Sequence, residues 1–201
     1  MVRAILEGRK TQTRRVLATY QDAVKFCPEW DVNGKQIFIV MGEKDHTGMN
    51  PVITAIPCPF GQPGDRVWVR ETFRVHSRAT DVATLVYRAS VRNSWTEQTH
   101  RVPVAVCNKP ATPEKWTPSI HMPRWASRIT LEITDVRVER LNDIRECDAK
   151  AEGGQTECTL IGDKYYPGFR SLWKSIYGEG SWAANPWVWV IEFKRVEGAA
   201  L

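Results

Sequence analysis

Residues 66–75 read Arg-Val-Trp-Val-Arg-Glu-Thr-Phe-Arg-Val, and their alternation constrains the fold more than any other stretch of the chain. Val67, Val69, Glu71, Phe73 and Val75 share one parity, and Arg66, Trp68, Arg70, Thr72 and Arg74 share the other. A period of two is the period of a β-strand, so the stretch is predicted to be a strand with one apolar and one basic face. The turn sequence Gly61-Gln62-Pro63-Gly64-Asp65 starts it. Glu71 interrupts the apolar face. A carboxylate there must be protonated, paired or placed at the mouth of a cavity, because an unpaired buried charge is costly.

The remaining pattern is mostly strand with a few short helices. Val2, Ile5 and Leu6 fall at helical spacing, and Gly8 suits the residue that ends such a helix. Residues 82–89, 101–106, 128–140 and 187–196 read as strands. The third of these changes phase: Ile129, Leu131 and Ile133 share a face, then Val136 and Val138 take over. A bulge or bend near Thr134-Asp135 is therefore expected. The last begins Trp187-Val188-Trp189-Val190-Ile191, apolar on both parities, and is expected to be buried on both faces. Residues 144–152 read as a short helix closed by Gly153. Phe169, Leu172, Trp173 and Ile176 form a helical stripe stopped by Gly178. Residues 17–60 are punctuated by Gly and Pro and read as an irregular insertion with a strand near residues 36–40. Strands of this number with irregularly spaced helices predict an α+β domain built on a curled sheet or small barrel.

Composition adds limits. With 42% hydrophobic and 25% charged residues in 201, the chain is ordinary globular protein. No apolar run reaches the ~18 residues of a membrane span, so no membrane association is expected. Five Cys without a CxxC pair suit a reduced, cytoplasmic setting, with buried thiols favoured over a linked Cys27, Cys58 and Cys107 group. His46, His76, His100 and His121 are scattered, so no metal site or cofactor is expected. Trp173, Trp187 and Trp189 sit in core patterns, whereas Trp30, Trp95, Trp116 and Trp182 fall in loops.

The net charge is +5, from 28 Lys and Arg against 23 Asp and Glu. Four of those five charges lie in residues 1–16, which predicts a local electropositive rim made by Arg9, Arg14 and Arg15 around Lys10. A second basic surface is the Arg66, Trp68, Arg70 face, with Arg124 and Trp125 further along. Cations interleaved with aromatic rings suit phosphates and stacked bases, and equally suit a solvated sheet face under an insertion. A lysine among like charges is a general-base candidate. Lys10 is therefore a candidate catalytic group together with the Thr13 hydroxyl and Glu71, although such residues occur together in many chains.

Gly8-x-Lys10-x-x-Thr13-x-Arg15 after a short helix resembles the G-x-K-x-x-T-x-R signature of the ASCH domain, a relative of the PUA RNA-binding β-barrel. Residues 64–71 resemble that family's strand with its acidic residue. Asp148-Ala149 and Glu152-Gly153 resemble its post-barrel helix, and the Phe169 to Gly178 and Trp187 to Phe193 segments its closing elements. The likeness is greatest to the longer ASCH-like proteins of tailed phages and prophages. It implies a single small PUA-like barrel over residues 1–201, with short flanking helices and long insertions at about 17–60 and 76–117. It implies RNA or a modified nucleoside as partner. It also implies a metal-independent amidohydrolase acting on a base such as N4-acetylcytidine, with Lys10, Thr13 and Glu71 as catalytic residues. The alternatives are a non-catalytic RNA-binding module and a ribonuclease-like phage accessory protein. This chain departs from the family in starting at the helix, without the strand that usually precedes it.

Overall fold

The structure, a computed structural model, describes residues 1–90, 99–159 and 162–196. Trp95 and the tail from residue 197 lie outside the described residues. In chain order the elements are α1 (Val2–Leu6), β1 (Gln12–Val16), β2 (Lys25–Trp30), β3 (Gln36–Met41), β4 (Val52–Pro57), β5 (Arg66–Trp68), β6 (Phe73–Arg78), β7 (Val82–Tyr87), β8 (Thr99–Pro103), β9 (Thr130–Arg140), α2 (Glu146–Ala151), β10 (Glu157–Thr159), β11 (Gly162–Lys164), α3 (Tyr165–Tyr177) and β12 (Trp187–Val196). The protein is α+β, dominated by antiparallel strands with few and short helices. It packs as two compact units.

Unit 1 comprises Met1–Glu7, Arg66–Leu131 and the chain from Arg195. Its sheet has the order β6-β7-β8, antiparallel throughout. Phe73, Val75, Leu85, Tyr87, Val102, Met122 and Ala126 form its core. The alternation of residues 66–75 holds: Glu71, Phe73 and Val75 are buried, while Arg66 and Arg70 are exposed. The strand does not run through, however. It divides into β5 and β6, and residues 69–72 belong to neither strand. Val69 donates to Ile129 (3.0 Å) at one end of that break and Phe73 to Thr117 (3.1 Å) at the other, so the two halves serve different neighbours.

Unit 2 comprises Gly8–Asp65 and Glu132–Lys194. Its central sheet contains β1, β12 and β9, in that order. Two layers cover the β12 strand. Val188 and Val190 join Phe169 and Trp173 of α3, Ala149 of α2 and Trp182 in one cluster. On the opposite parity Trp187 meets Phe26 and Trp189 meets Phe38, each edge-to-face at 5.0 Å. That double cover is why the start of β12 is apolar on both faces. The second layer comes from residues expected to be irregular: β2, β3 and β4 form an antiparallel sheet of that order. β3 is the strand expected near residues 36–40, whereas β2 and β4 escape a periodicity reading because Pro28 and Glu29 occupy β2 and most of β4 is exposed.

Burial in β9 changes phase at Thr134-Asp135, from Leu131 and Ile133 to Val136. The α3 stripe is only half used: Phe169 and Trp173 are buried, but Leu172 and Ile176 are exposed. Trp182 lies in the core although its sequence reads as loop. At Gly168 in α3 any side-chain carbon would collide with the backbone carbonyl of Gln155, so the helix approaches that segment backbone to backbone. Cys27, Cys58, Cys107 and Cys147 are free thiols. Among the described residues no helix is long and apolar enough to cross a membrane.

Candidate functional site

The residues singled out by sequence separate into two groups, one in each unit. In unit 2, Lys10, Gln12 and Arg14 are buried, and the intervening Thr11, Thr13 and Arg15 are not. Strand alternation therefore puts the Thr13 hydroxyl on the face opposite Lys10. The Lys10 ammonium donates to Glu152 Oε2 at 2.7 Å and to the Glu152 carbonyl at 2.8 Å, fixing the lysine to the residue that follows α2. Backbone pairing between Lys10 and Glu152 locks the same junction.

Arg14 continues the network. Its side chain is fully buried and its guanidinium lies 3.4 Å from Glu152, 3.3 Å from Glu139 and 3.7 Å from Asp148. The ring of Phe169 packs on its other side, 5.9 Å away. Arg137 binds Glu139, Asp135 (3.2 Å), Asp148 (3.6 Å) and Glu192. Burial opposes its charge, but the hydrogen bonds it donates to Glu139 and Glu192 outweigh burial and raise its pKa. Three cations thus face five carboxylates. The expected electropositive rim does not form here, because two of its charges are inside and neutralised. Arg9 and Arg15 remain exposed, with Arg9 reaching the Gly153 carbonyl at 3.5 Å.

In unit 1, Glu71 is 2% exposed and bound through both oxygens by Arg128, at 2.8 Å and 3.0 Å. Arg128 also donates to Ser90 Oγ at 2.7 Å and lies 4.0 Å over the Tyr87 ring. The Tyr87 hydroxyl donates to the Ala126 carbonyl, and burial drives its pKa up. This answers the question posed by a glutamate on an apolar face: it is paired. Its parity announced the need for a cation, but nothing in the spacing named Arg128, 57 residues away. Likewise Glu152 stood out only as part of a motif, not as the partner of Lys10.

The basic face lies beside this pair. The Arg70 guanidinium sits 4.9 Å from the Trp68 ring and that of Arg124 5.9 Å from it, while Arg74 sits 4.7 Å from Trp116. Arg66 and Arg70 are exposed, and Trp68, Arg124 and Trp125 are half-buried. Trp125 leans on the core, edge-to-face with Phe73 at 6.4 Å. The units also differ in charge. Unit 1 holds 13 basic residues, eleven of them Arg, against 6 acidic ones, a net +7. Unit 2 holds 15 against 17, a net −2.

His100, which is half-buried in unit 1, has its pKa lowered from 6.5 by burial and then by Arg128. Between 6.5 and that lower value the unfolded chain takes up a proton that the folded one refuses, so stability falls as pH drops through the window. Urea denaturation at stepped pH should show this loss, and His100→Gln should flatten it.

No family model, curated protein or solved structure matches the chain.

Proposed function

We propose that the chain is an ASCH/PUA-like protein that binds RNA through the arginine and tryptophan face of unit 1. The reading rests on the Trp68 ring flanked by the Arg70 and Arg124 guanidinium groups, on a unit of net charge +7. Arginine serves such a surface better than lysine, since its planar fork both pairs with phosphate and stacks. Exposed Arg66 and Arg70 would neutralise phosphates, and Trp68 would stack with an unpaired base. Fluorescence anisotropy with a labelled single-stranded RNA tests this. Affinity should fall steeply with salt, and each of Arg66→Ala and Arg70→Ala should reduce the logarithmic slope by about 0.7. Trp68→Ala should cost about 1–3 kcal/mol of binding. Binding that ignores salt and survives all three changes would reject the reading.

Hydrolysis of an amide on a modified pyrimidine is a second reading, favoured by the Lys10–Glu152 contact of 2.7 Å. The two groups lie within proton-transfer distance of each other, as an acid and base acting in one reaction would. Release of cytidine from N4-acetylcytidine by the wild-type chain is the direct assay, and a chain that binds RNA without releasing cytidine is the module alone.

A further inference from the structure

Every sheet edge exposes backbone groups to pairing with another chain, and proteins guard against this with charges, prolines or cover. The edges of unit 1 and of the central sheet are guarded. Edge strand β6 carries Arg74 and Arg78, β8 carries Arg101, β5 carries Arg66, and β1 carries Arg14 and Arg15. In the β2-β3-β4 sheet, β2 carries Lys25, Glu29 and an internal Pro28. The β4 edge has none of these devices. Its sequence is Val-Ile-Thr-Ala-Ile-Pro, with proline only at the last position. It lies within an uncharged run of 18 residues, from Thr47 to Gly64, without Asp, Glu, Lys, Arg or His. Val52 is 63% exposed and Ile53 54%. Among the described residues, no backbone group of residues 52–57 is hydrogen-bonded outside the ladder with β3.

We infer that β4 pairs with β4 of a second copy of this chain. An edge lined with donors and acceptors calls for a strand as its occupant. An uncharged edge repels no identical edge and offers a charged peptide nothing to select it. The register shift at Val40 and Met41 makes Ile53 a bulge, which leaves residues 54–57 as the regular segment. An antiparallel pair about a two-fold axis at Ala55 sets Ala55 opposite the Ala55 of the second copy and Thr54 opposite its Ile56, so that facing side chains share a face of the sheet. This contact uses the same edge on both partners and therefore closes. The opposite edge, β2, is guarded, so the joined sheet stops at two copies and does not grow into a fibre.

Sedimentation equilibrium on the full chain, with deuterium exchange of the same samples, tests the inference. The expected species is twice 23.0 kDa at high micromolar concentration. Exchange at residues 52–57 should slow as the protein is concentrated. The Ile53→Lys/Ala55→Lys variant changes two exposed positions and should sediment as a 23.0 kDa monomer with an unchanged near-ultraviolet circular dichroism spectrum. A wild-type chain that stays monomeric overturns the inference. So does a dimer whose 52–57 segment exchanges at the monomer rate, or one that persists in the folded double variant.

Discussion

Lys10→Met should lower the stability of the protein by about 3 kcal/mol, near the bottom of the range for breaking a buried ion pair. The Lys10 and Glu152 side chains are 6% and 5% exposed, so removing the ammonium leaves a carboxylate with little access to water. Arg14 sets the size of the loss. Its guanidinium stays 3.4 Å from Glu152 and keeps that charge partly compensated. The double variant Lys10→Met/Glu152→Leu should recover most of the stability, since an apolar pair of similar volume does no worse than a buried ion pair in many folds. Arg14 retains Glu139 and Asp148 in that variant. Urea denaturation of the four corners of the cycle measures the coupling. A single variant within about 1 kcal/mol of wild type would mean that water reaches Glu152 after all. The same numbers govern the hydrolase assay: activity lost in Lys10→Met signifies chemistry only if the variant is folded at the assay temperature.

Arg128→Met should cost more, about 4–5 kcal/mol. Glu71 is 2% exposed, and among the described residues Arg128 is the one cation on its carboxylate. The substitution also removes the bond to Ser90 Oγ and the stacking over Tyr87. Glu71→Gln should cost distinctly less. The amide keeps the shape and one acceptor, and the Arg128 side chain, 13% exposed, has more access to solvent for its charge. The order of the two losses is the test. If Glu71→Gln proves the more damaging, the carboxylate contributes something besides holding Arg128, and proton transfer at Glu71 returns as an explanation.

Much of this fold was legible because parity survives local irregularity. Residues 66–75 kept their faces although the strand breaks between Trp68 and Phe73. The phase change in β9 was readable from Ile133 and Val136. Burial of β12 on both sides was readable from five successive apolar residues, although what covers the second side was not. Of the β2-β3-β4 layer only β3 was readable, because the layer's contribution to the core comes from a few residues, chiefly Phe26, Phe38 and Val40, spread among exposed ones. The site was legible in part. Parity identified Glu71 as a charge in need of a partner, but partners are chosen by tertiary approach, and Arg128 and Glu152 stand 57 and 142 positions from the residues they hold. The amino-terminal charge cluster misled for the same reason. Counting charges along the chain takes no account of strand alternation, which turned Lys10 and Arg14 inward.

The uneven sharing of arginine has a consequence in acid. Guanidinium groups hold their protons at every pH where a protein stays folded, so the positive charge of unit 1 is nearly permanent. The slight negative charge of unit 2 depends on its 17 carboxylates, which acid neutralises. Acidification neutralises 17 carboxylates in unit 2 against 6 in unit 1, so the sign of unit 2 reverses while unit 1 only becomes more positive. The electrical contrast between them is a property of neutral solution, and acid removes it by neutralising carboxylates while every arginine stays charged.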